Sequence, residues 1–314
     1  MTVTVHEPVL KAEVLEGLRI RPGGRYIDGT LGGGGHTRAI LDACAPDGVV
    51  MGIDQDPDAL ERTGRLLESY GDRFQAVHGN FSQIAELAAE QDFLQPDGIL
   101  MDLGVSSDQL DTPDRGFSFR FEGPLDMRMD PTSGLPVSDW LASIGLDELT
   151  DTLRRLGEER QARRIARAIV KARDEDQLPD TLALANVIEK AVGGRKGSRI
   201  HPATKSFQAL RMAVNREMEV LEEGLDAAIK LLKPGGRMAV ITFHSLEDRA
   251  VKKKFRRHEG TEVSLYQGGS EWQGELPKVE SVWRKARVAT EEEQSRNPRA
   301  RSAKLRVIEK KEIS

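Results

Sequence analysis

Three aspartates, Asp28, Asp54 and Asp102, each close a short run of apolar residues. If those runs are neighbouring parallel strands, the three carboxylates lie at one edge of the sheet, where ligands bind. Acids at that edge disfavour an anionic ligand and favour a cation. S-adenosylmethionine carries a sulfonium and an ammonium group and no phosphate, so it fits this charge. Asp54 lies about 20 residues beyond Gly35, the offset at which an acid binds the hydroxyl groups of an adenosine ribose, and we predict that role for it.

A glycine-rich turn, Gly29-Thr30-Leu31-Gly32-Gly33-Gly34-Gly35-His36, follows Asp28 directly. Glycines let a backbone bend sharply and approach a ligand closely. The turn does not fit G-x-G-x-x-G, because Thr37 occupies the position of the third glycine, and no Gly-Lys-Ser/Thr follows, which excludes a P-loop. A strand, this turn and a helix in that order favour a cofactor-binding loop over a flexible surface loop.

Two other side chains follow predicted strands. Phe81 could lie against an adenine ring, although a lone aromatic residue is more often part of a core. His244 follows the apolar run Arg237–Thr242, and we favour a structural role for it over that of a catalytic base. Ser245, with Asp248 three residues on, resembles a capping box and predicts that a helix starts at Ser245.

The elements that must position these residues alternate regularly between residues 25 and 102. Continuous apolar strands separated by helices are typical of a parallel sheet covered on both faces, so we predict a doubly wound, mostly parallel α/β fold. An N-cap is predicted at Asp56, because Pro57 suits the first helical position. The predicted strands are Arg25–Asp28, Val49–Asp54, Phe74–His78 and Gly98–Asp102, and the predicted helices are 37–44, 57–70 and 82–92.

This alternation stops beyond residue 105 and returns about a hundred residues later. Residues 115–121 alternate with period two and predict a short strand. Residues 137–188 have helical periodicity, with an N-cap predicted at Ser138, and a helix at 217–232 precedes the returning strand at Arg237–Thr242. The sequence therefore predicts a cofactor-binding domain made of residues 1–112 and 217–314, and an inserted, mainly helical domain at 113–216.

The 314 residues carry a net charge of −5, which by itself gives no indication of nucleic-acid binding. Local basic segments do give such an indication. Residues 154–173 contain eight basic and two acidic residues. A single charged helix face is usually only solvated, but several basic segments in an acidic protein are typical of a phosphate-binding surface, which we predict here. The cations at helical spacing on one side are Arg160, Arg163, Arg164, Arg167 and Lys171, and the other basic segments are 195–199, 252–257 and 296–304.

Several classes of protein are disfavoured by what the sequence lacks. Cys44 is the only cysteine, so an internal disulfide and a cysteine-rich metal site are excluded, and the six histidines show no ligand spacing. We therefore expect no metal. No apolar stretch approaches membrane length, and the first ten residues do not resemble a secretory leader. These features predict a cytoplasmic protein without membrane contact.

Nearly the whole chain resembles the bacterial 16S rRNA (cytosine-N4)-methyltransferase family called RsmH or MraW. The matching stretches include Asp54-Gln55-Asp56-Pro57 and Asn297-Pro298-Arg299-Ala300-Arg301-Ser302. So many separate matches in the same order are not expected by chance. All the matching stretches are residues 6–10, 26–36, 54–57, 97–110, 115–119, 123–131, 157–160, 201–204, 243–249 and 297–302.

The resemblance implies an enzyme that uses S-adenosylmethionine to methylate the N4 amine of a specific cytidine in the decoding region of 16S rRNA. It also implies a Rossmann-like fold with an inserted helical domain, and the small ribosomal subunit or its rRNA as partner. His36 and Gln109 are implied as cofactor contacts by the resemblance alone. The full set of cofactor contacts that it implies is Gly34, Gly35, His36, Asp54, Phe81, Asp102 and Gln109.

Cytosine N4 is a weak nucleophile, because its lone pair is delocalised into the ring. The enzyme's main task is therefore alignment, with an acceptor such as Asp102 or a backbone carbonyl on the amine hydrogens. Many amino-methylating enzymes carry Asp/Asn-Pro-Pro-aromatic after the fourth strand, whereas this chain has Asp102-Leu103-Gly104-Val105. Asp102 is the candidate catalytic residue, and the identity of any general base stays open. The alternatives are an NAD-dependent oxidoreductase and a non-catalytic rRNA-binding assembly factor.

Overall fold

The computed structural model of the protein describes residues 7–195, 197, 200–264, 270–273 and 277–312. The chain forms two compact units. The first unit contains Met1–Gly104 and Met218–Ser314, and the second contains Val105–Glu217. The chain therefore leaves the first unit once and returns to it once. The second unit begins ahead of the predicted start of the inserted domain at residue 113.

A mainly parallel sheet forms the centre of the first unit. Its strands are β1 (Arg25–Asp28), β2 (Val49–Asp54), β3 (Phe74–His78), β4 (Gly98–Asp102), β5 (Arg237–Thr242), β8 (Val279–Ser281), β9 (Arg287–Val288) and β10 (Lys304–Lys310), while β6 (Thr261–Ser264) and β7 (Ser270–Gln273) form a separate antiparallel pair. The order in the sheet is β3-β2-β1-β4-β5-β10-β8, with β9 paired to β10. Strands β1 to β5 are parallel, which confirms the predicted fold class and the bounds of these strands.

The α-helices have bounds close to those predicted. The predicted helix at 57–70 ends at Leu66 and is followed by the 3-10 segment Glu68–Arg73. The predicted N-cap at Asp56 is confirmed, because its side chain accepts a hydrogen bond from the Asp58 amide. The helices are α1 (Lys11–Leu18), α2 (Gly35–Ala43), α3 (Pro57–Leu66), α4 (Ile84–Glu90), α5 (Ser107–Asp111), α6 (Val137–Ser143), α7 (Leu146–Gly157), α8 (Ala162–Asp174), α9 (Thr181–Val192), α10 (Thr204–Val214), α11 (Glu217–Leu231), α12 (Ser245–Glu259) and α13 (Glu291–Arg296).

Different helices cover the two faces of the sheet. Successive side chains of a strand point to opposite faces. Ile27 and Met101 therefore join one apolar core, with residues of α4, α11 and α12. Their neighbours Tyr26 and Leu100 join the other core, with residues of α1 and α2. Because both faces are buried, the strands are apolar throughout and their polar residues stand at the carboxyl ends.

The sheet also contains a strand that sequence analysis missed. Strand β10 lies antiparallel to β5, with Lys304 opposite Thr242 and Leu305 opposite Ile241. Leu305 and Val307 belong to one core of the first unit and Ile308 to the other, so both faces of β10 are buried. In the sequence, the charged residues in and before this strand favour an interpretation as a nucleic-acid contact instead.

The second unit contains α5 to α10 around its own apolar core, to which Leu153, Ile165 and Leu210 belong. The predicted strand at 115–121 is wrong: this part of the described chain is irregular, because Gly116 has a left-handed backbone (φ 71°). The predicted N-cap at Ser138 is also wrong, because α6 begins at Val137 and Ser138 lies in its first turn.

None of the helices in the part of the chain that the structure describes is long and apolar enough to cross a membrane.

Candidate active site

The glycine-rich turn packs tightly against α3. Gly34 is the N-cap of α2 and has a left-handed backbone (φ 72°), and a Cβ there would lie 2.5 Å from Cγ2 of Thr63. The Thr63 hydroxyl donates a hydrogen bond of 2.7 Å to the carbonyl of Gly32. Gly35 begins α2 and packs against Pro8. The glycines therefore allow close contact between the turn and its neighbours, which fixes the course of the turn.

Asp28 is buried and its carboxylate points into this turn. It accepts hydrogen bonds from the Thr37 hydroxyl at 2.7 Å and the Thr30 amide at 3.1 Å. Burial raises the pKa of Asp28, and these hydrogen bonds oppose the increase. Asp28 therefore stabilises the turn, and its charge acts on Asp102 at the same edge. A direct contact between Asp28 and the ligand stays a prediction.

Asp54, at the end of β2, is held by two backbone amides. Its Oδ2 accepts from Gly32 at 2.7 Å and its Oδ1 from Asp56 at 2.9 Å. Burial raises the pKa of Asp54 to about 6, against the effect of these two hydrogen bonds. Each carboxylate oxygen can accept two hydrogen bonds. Asp54 is therefore fixed in orientation and keeps acceptor capacity for hydroxyl groups.

Phe81 lies beside the glycine-rich turn. Its Cβ is 3.4 Å from the position that a Cβ on Gly29 would occupy, and its ring packs on α11 at Gly224. A Cβ on Gly224 would lie 2.5 Å from Cδ2 of Phe81, so only glycine fits there. Phe81 is half-buried. This position next to the turn is compatible with an adenine contact, which stays a prediction.

His36 and Asp102 meet at the carboxyl ends of β1 and β4. The Asp102 amide donates a 2.7 Å hydrogen bond to the Thr30 hydroxyl, and Oδ2 of Asp102 lies 3.7 Å from Nε2 of His36. The His36 side chain is 8% exposed and that of Asp102 is 26% exposed. His36 Nε2 and Asp102 Oδ1 are fully covered and have no hydrogen-bond partner among the described residues. Both atoms are therefore unsatisfied polar groups at this edge.

The environment sets the charge of both residues. Burial lowers the pKa of His36 to about 4, so its ring is neutral near pH 7. Burial, followed by the charges of Asp28 and Glu247, raises the pKa of Asp102 to about 8. A carboxyl group with a pKa near neutrality can accept or hold a proton at working pH. A cation bound next to Asp102 lowers that pKa again.

Glu247 is a functional candidate that sequence analysis missed. A capping box at the start of α12 is confirmed, but it consists of His244 and Glu247 rather than Ser245 and Asp248. Glu247 accepts from the Phe243 amide at 2.9 Å and is 4% exposed. The pattern is hard to recognise in the sequence because histidine stands where Ser or Thr is usual. Glu247 brings a further negative charge to the surroundings of Asp102.

Gln109 belongs to the second unit, where it lies in α5 and is buried. Its side chain accepts a 3.0 Å hydrogen bond from the Ser106 amide, and the Ser106 hydroxyl accepts from the Gln109 amide at 3.1 Å. These bonds form a capping box at the start of α5. A cofactor contact by Gln109 stays a prediction. Within the described residues, no group of three His, Cys, Asp or Glu side chains could hold a metal ion.

Helix α8 exposes a row of cations, as predicted. Its apolar side, which includes Ile165 and Ile169, is buried. Arg164 and Arg167 are exposed and have no ionic partner in the described parts of the chain. Arg163 lies 3.4 Å from Asp147 in an exposed pair, which contributes little stability. The positive side of α8 is therefore available for phosphate.

The other basic segments differ in character. Lys252, Lys253, Arg256 and Arg257 are exposed on α12, whereas Lys254 forms a 2.7 Å ion pair with Asp226. Arg195 lies 3.6 Å from Glu189. The rest of that predicted basic segment, at 196, 198 and 199, lies outside the described residues.

Comparison with known proteins gives a consistent result. Residues 3–311 match the MraW methylase family. Several relatives carry the name Ribosomal RNA small subunit methyltransferase H. The relative from Syntrophotalea carbinolica is 51% identical, and the match covers 96% of this chain and 97% of the relative. The relative from Geobacter sulfurreducens is 49% identical, with 97% of this chain and 98% of the relative covered, and the relative from Thermomicrobium roseum is 48% identical, with 98% and 94% covered in the same order.

Proposed function

The chain belongs to the MraW methylase family, and on this basis we propose that it is a methyltransferase of small-subunit ribosomal RNA. It uses S-adenosylmethionine and transfers the methyl group to the N4 amine of a specific cytidine in the decoding region of 16S rRNA. The close identity to relatives of that name over nearly the whole chain supports the substrate class. The observation that carries the site assignment is the covered, unsatisfied Oδ1 of Asp102 at the end of β4.

The residues of the first unit fit a cationic cofactor. Asp102 lacks a positive partner at hydrogen-bond distance among the described residues, and Asp28 and Glu247 add negative charge around it. A sulfonium cofactor relieves this repulsion, whereas a pyrophosphate increases it. Asp54 would hold the ribose and Phe81 would contact the adenine. When bound, S-adenosylmethionine supplies an electrophilic methyl group.

The chain's own residues orient the target amine. Methyl transfer would leave the electron pair of the broken carbon–sulfur bond on sulfur and would make N4 positive until it loses a proton. Because a bound cation lowers the pKa of Asp102 again, its ionised carboxylate accepts a hydrogen bond from the amine, stabilises this positive charge and takes up the proton. The hydrogen bond from the Asp102 amide to Thr30 holds the strand end in place. Neutral His36 adds no opposing positive charge.

Residues 113–216 are proposed as the domain that recognises the RNA substrate, and residues 1–112 with 217–314 as the methyltransferase domain. The exposed cations of α8 support this role, because phosphate contacts supply much of the affinity for RNA. The partner is the small ribosomal subunit or its 16S rRNA, and the cytoplasm is the proposed location. The target cytidine must be unpaired or extruded to expose its amine.

Neither alternative function is supported by the relatives. An NAD-dependent oxidoreductase and a non-catalytic assembly factor both disagree with a match to a methylase family over residues 3–311. The acidic edge also disfavours the pyrophosphate of NAD.

The proposed function can be tested with small subunits purified from cells that lack the enzyme. Incubation with the purified protein and methyl-labelled S-adenosylmethionine is expected to label 16S rRNA at one cytidine, and nuclease digestion with mass spectrometry should find N4-methylcytidine. Heat-inactivated protein is the control. Label on uridine, on protein or at C5 of cytosine would contradict the proposal.

A further inference from the structure

A cavity of about 320 Å³ lies at the carboxyl end of β5, within the first unit. The last turn before β10 and the start of α12 form its walls. The polar residues that line it are His244, Ser245, Arg301, Ser302 and Lys304. Phe243, Val288 and Ala303 supply the apolar part of the wall, and Val288 is 58% exposed. The roles assigned to the active-site edge do not account for this cavity.

The lining is positively charged. It contains Arg301 and Lys304 and no carboxylate. Lys304 lies 3.2 Å from Asp248, but Asp248 also forms a 2.8 Å pair with Arg306, so a single negative charge is shared by two cations. Although burial opposes it, these two cations hold the pKa of Asp248 below its usual range. Arg301 is exposed and has no hydrogen-bond or ion-pair partner in the described residues. The cavity therefore favours an anion.

His244 lines the same wall, but Nε2 of its ring is covered and is not offered to the cavity. Its Nδ1 accepts the Glu247 amide at 3.4 Å, so in the neutral ring the proton resides on Nε2. Nε2 lies 2.9 Å from Oε1 of Glu247, but the N–H bond is not directed at that oxygen, and Nε2 has no hydrogen-bond partner among the described residues. The capping box at the start of α12 thus fixes the tautomer of a ring in the cavity wall.

The cavity lies on the same edge of the sheet as Asp102. Asp102 stands opposite Ile241 of β5, and Thr242, the next residue of that strand, stands opposite Lys304. Neighbouring strands are about 4.8 Å apart, so Lys304 lies roughly two strand spacings, about 10 Å, from Asp102. That span suits the distance from the amine of a base to a phosphate of the same strand.

We propose that this cavity binds a backbone phosphate of the rRNA strand close to the target cytidine. The inference rests on the proposed function, because it assigns the substrate's own phosphate to the site. Arg301 supplies two N–H donors in the fork geometry that suits phosphate. Lys304 adds a second positive charge, and Val288 packs on the sugar. The phosphate contact fixes the strand so that the base reaches Asp102.

Arg301→Gln tests the site, with Arg65→Gln as the matched control. Arg65 is a 77% exposed cation of the first unit that lies outside the predicted basic segments and does not line the cavity. For Arg301→Gln we expect the KM for small subunits to rise about tenfold or more, as expected when a charged hydrogen bond is removed. The slope of log affinity against log salt should fall by about 0.7, because the protein then neutralises one phosphate fewer. The affinity for S-adenosylmethionine and the rate at saturating subunits should stay near wild type.

The outcomes distinguish a failure of the proposed phosphate site from a failure of the proposed function. If Arg301→Gln and Arg65→Gln give the same KM and the same salt slope, the phosphate site is wrong, although methyl transfer by both would leave the proposed function intact. Calorimetry with inorganic phosphate covers the other source of the anion. Suppose that Arg301→Gln abolishes the binding of inorganic phosphate but leaves the KM for small subunits and the salt slope unchanged. The cavity would then bind a free anion, and the proposed RNA contact would be wrong.

Discussion

At the scale of single residues, burial and neighbouring charge both act on Asp102. The covered Oδ1, the nearby Asp28 and Glu247 and the lack of a positive partner in the described chain all disfavour the ionised form. Burying such a group lowers the free energy of unfolding, and the group is retained where it contacts a cation or a reacting atom. Asp54 differs, because two backbone amides stabilise its charged form. The two acids therefore suit different tasks, one at the chemistry and one at the ribose.

The catalytic role of Asp102 predicts a specific kinetic effect. Asp102→Asn keeps the shape and an acceptor oxygen but removes the charge that stabilises the positive nitrogen. Removal of one preorganised electrostatic interaction typically lowers the rate by about 100- to 1000-fold. Single-turnover methyl transfer to small subunits, at cofactor concentrations well above the mutant's measured affinity, should show that decrease. A near-normal rate with a raised cofactor KM would limit Asp102 to cofactor binding.

The same substitution should lower the rate of methyl transfer but increase the stability of the free protein. The folded-state pKa of Asp102, about 8, lies above its unfolded value of 3.8. Between these pH values the native state binds the extra proton, so this group's contribution to stability falls as pH rises from about 4 to 8. Asp102→Asn should therefore stabilise the free protein more at pH 8 than at pH 5. Thermal unfolding of both proteins at the two pH values measures this. An equal effect at both values would contradict the buried, ionisable state.

Asp54 is predicted to act in cofactor binding alone. Asp54→Ala removes a carboxylate that two amides orient, and each charged hydrogen bond to the ribose is worth about 1.5 to 3 kcal/mol, so affinity for S-adenosylmethionine should fall at least tenfold. Calorimetry measures the change. Asp58→Ala, which removes an exposed acid in the first turn of α3, is the control. Wild-type affinity in a folded Asp54→Ala protein would refute the ribose contact.

At the scale of elements, the sequence predicts the parallel strands best, because each is an apolar run that ends in a polar residue. β1, β2 and β4 are present with the predicted bounds. The direction of the Asp28 side chain was not predictable, because its hydrogen bonds to Thr30 and Thr37 depend on the shape of the turn. The antiparallel β10 was missed because its register depends on a partner more than sixty residues earlier in the chain.

Helix α8 predicts an effect on RNA binding. Arg163→Glu with Arg167→Glu reverses two exposed charges without disturbing the buried side. Small-subunit or rRNA binding should weaken, and its salt dependence should become flatter by about 0.7 for each phosphate that α8 no longer binds, while cofactor affinity stays unchanged. The same reversal on α3, Arg62→Glu with Arg65→Glu, controls for net charge. If both double variants bind equally across a salt series, α8 is a solvated face.

At the scale of the whole molecule, the two units divide the chemistry between them. The first unit carries Asp54, Phe81, Asp102 and the cavity near Arg301, and the second carries the basic side of α8. An overall charge of −5 conceals these positive surfaces. Because the acids gather at the cofactor edge and the cations on separate helices, one acidic chain can bind both a sulfonium cofactor and a polyanionic substrate.

The most direct test of methylation at cytosine N4 is made in the cell. The gene for the protein is deleted in its own host, and 16S rRNA is digested and analysed by mass spectrometry. N4-methylated cytidine should disappear from one position of the decoding region. Expression of the wild-type protein should restore it, whereas the folded Asp102→Asn variant should restore it poorly. An unchanged pattern of N4-methylated cytidine in the deletion strain would contradict the proposed function.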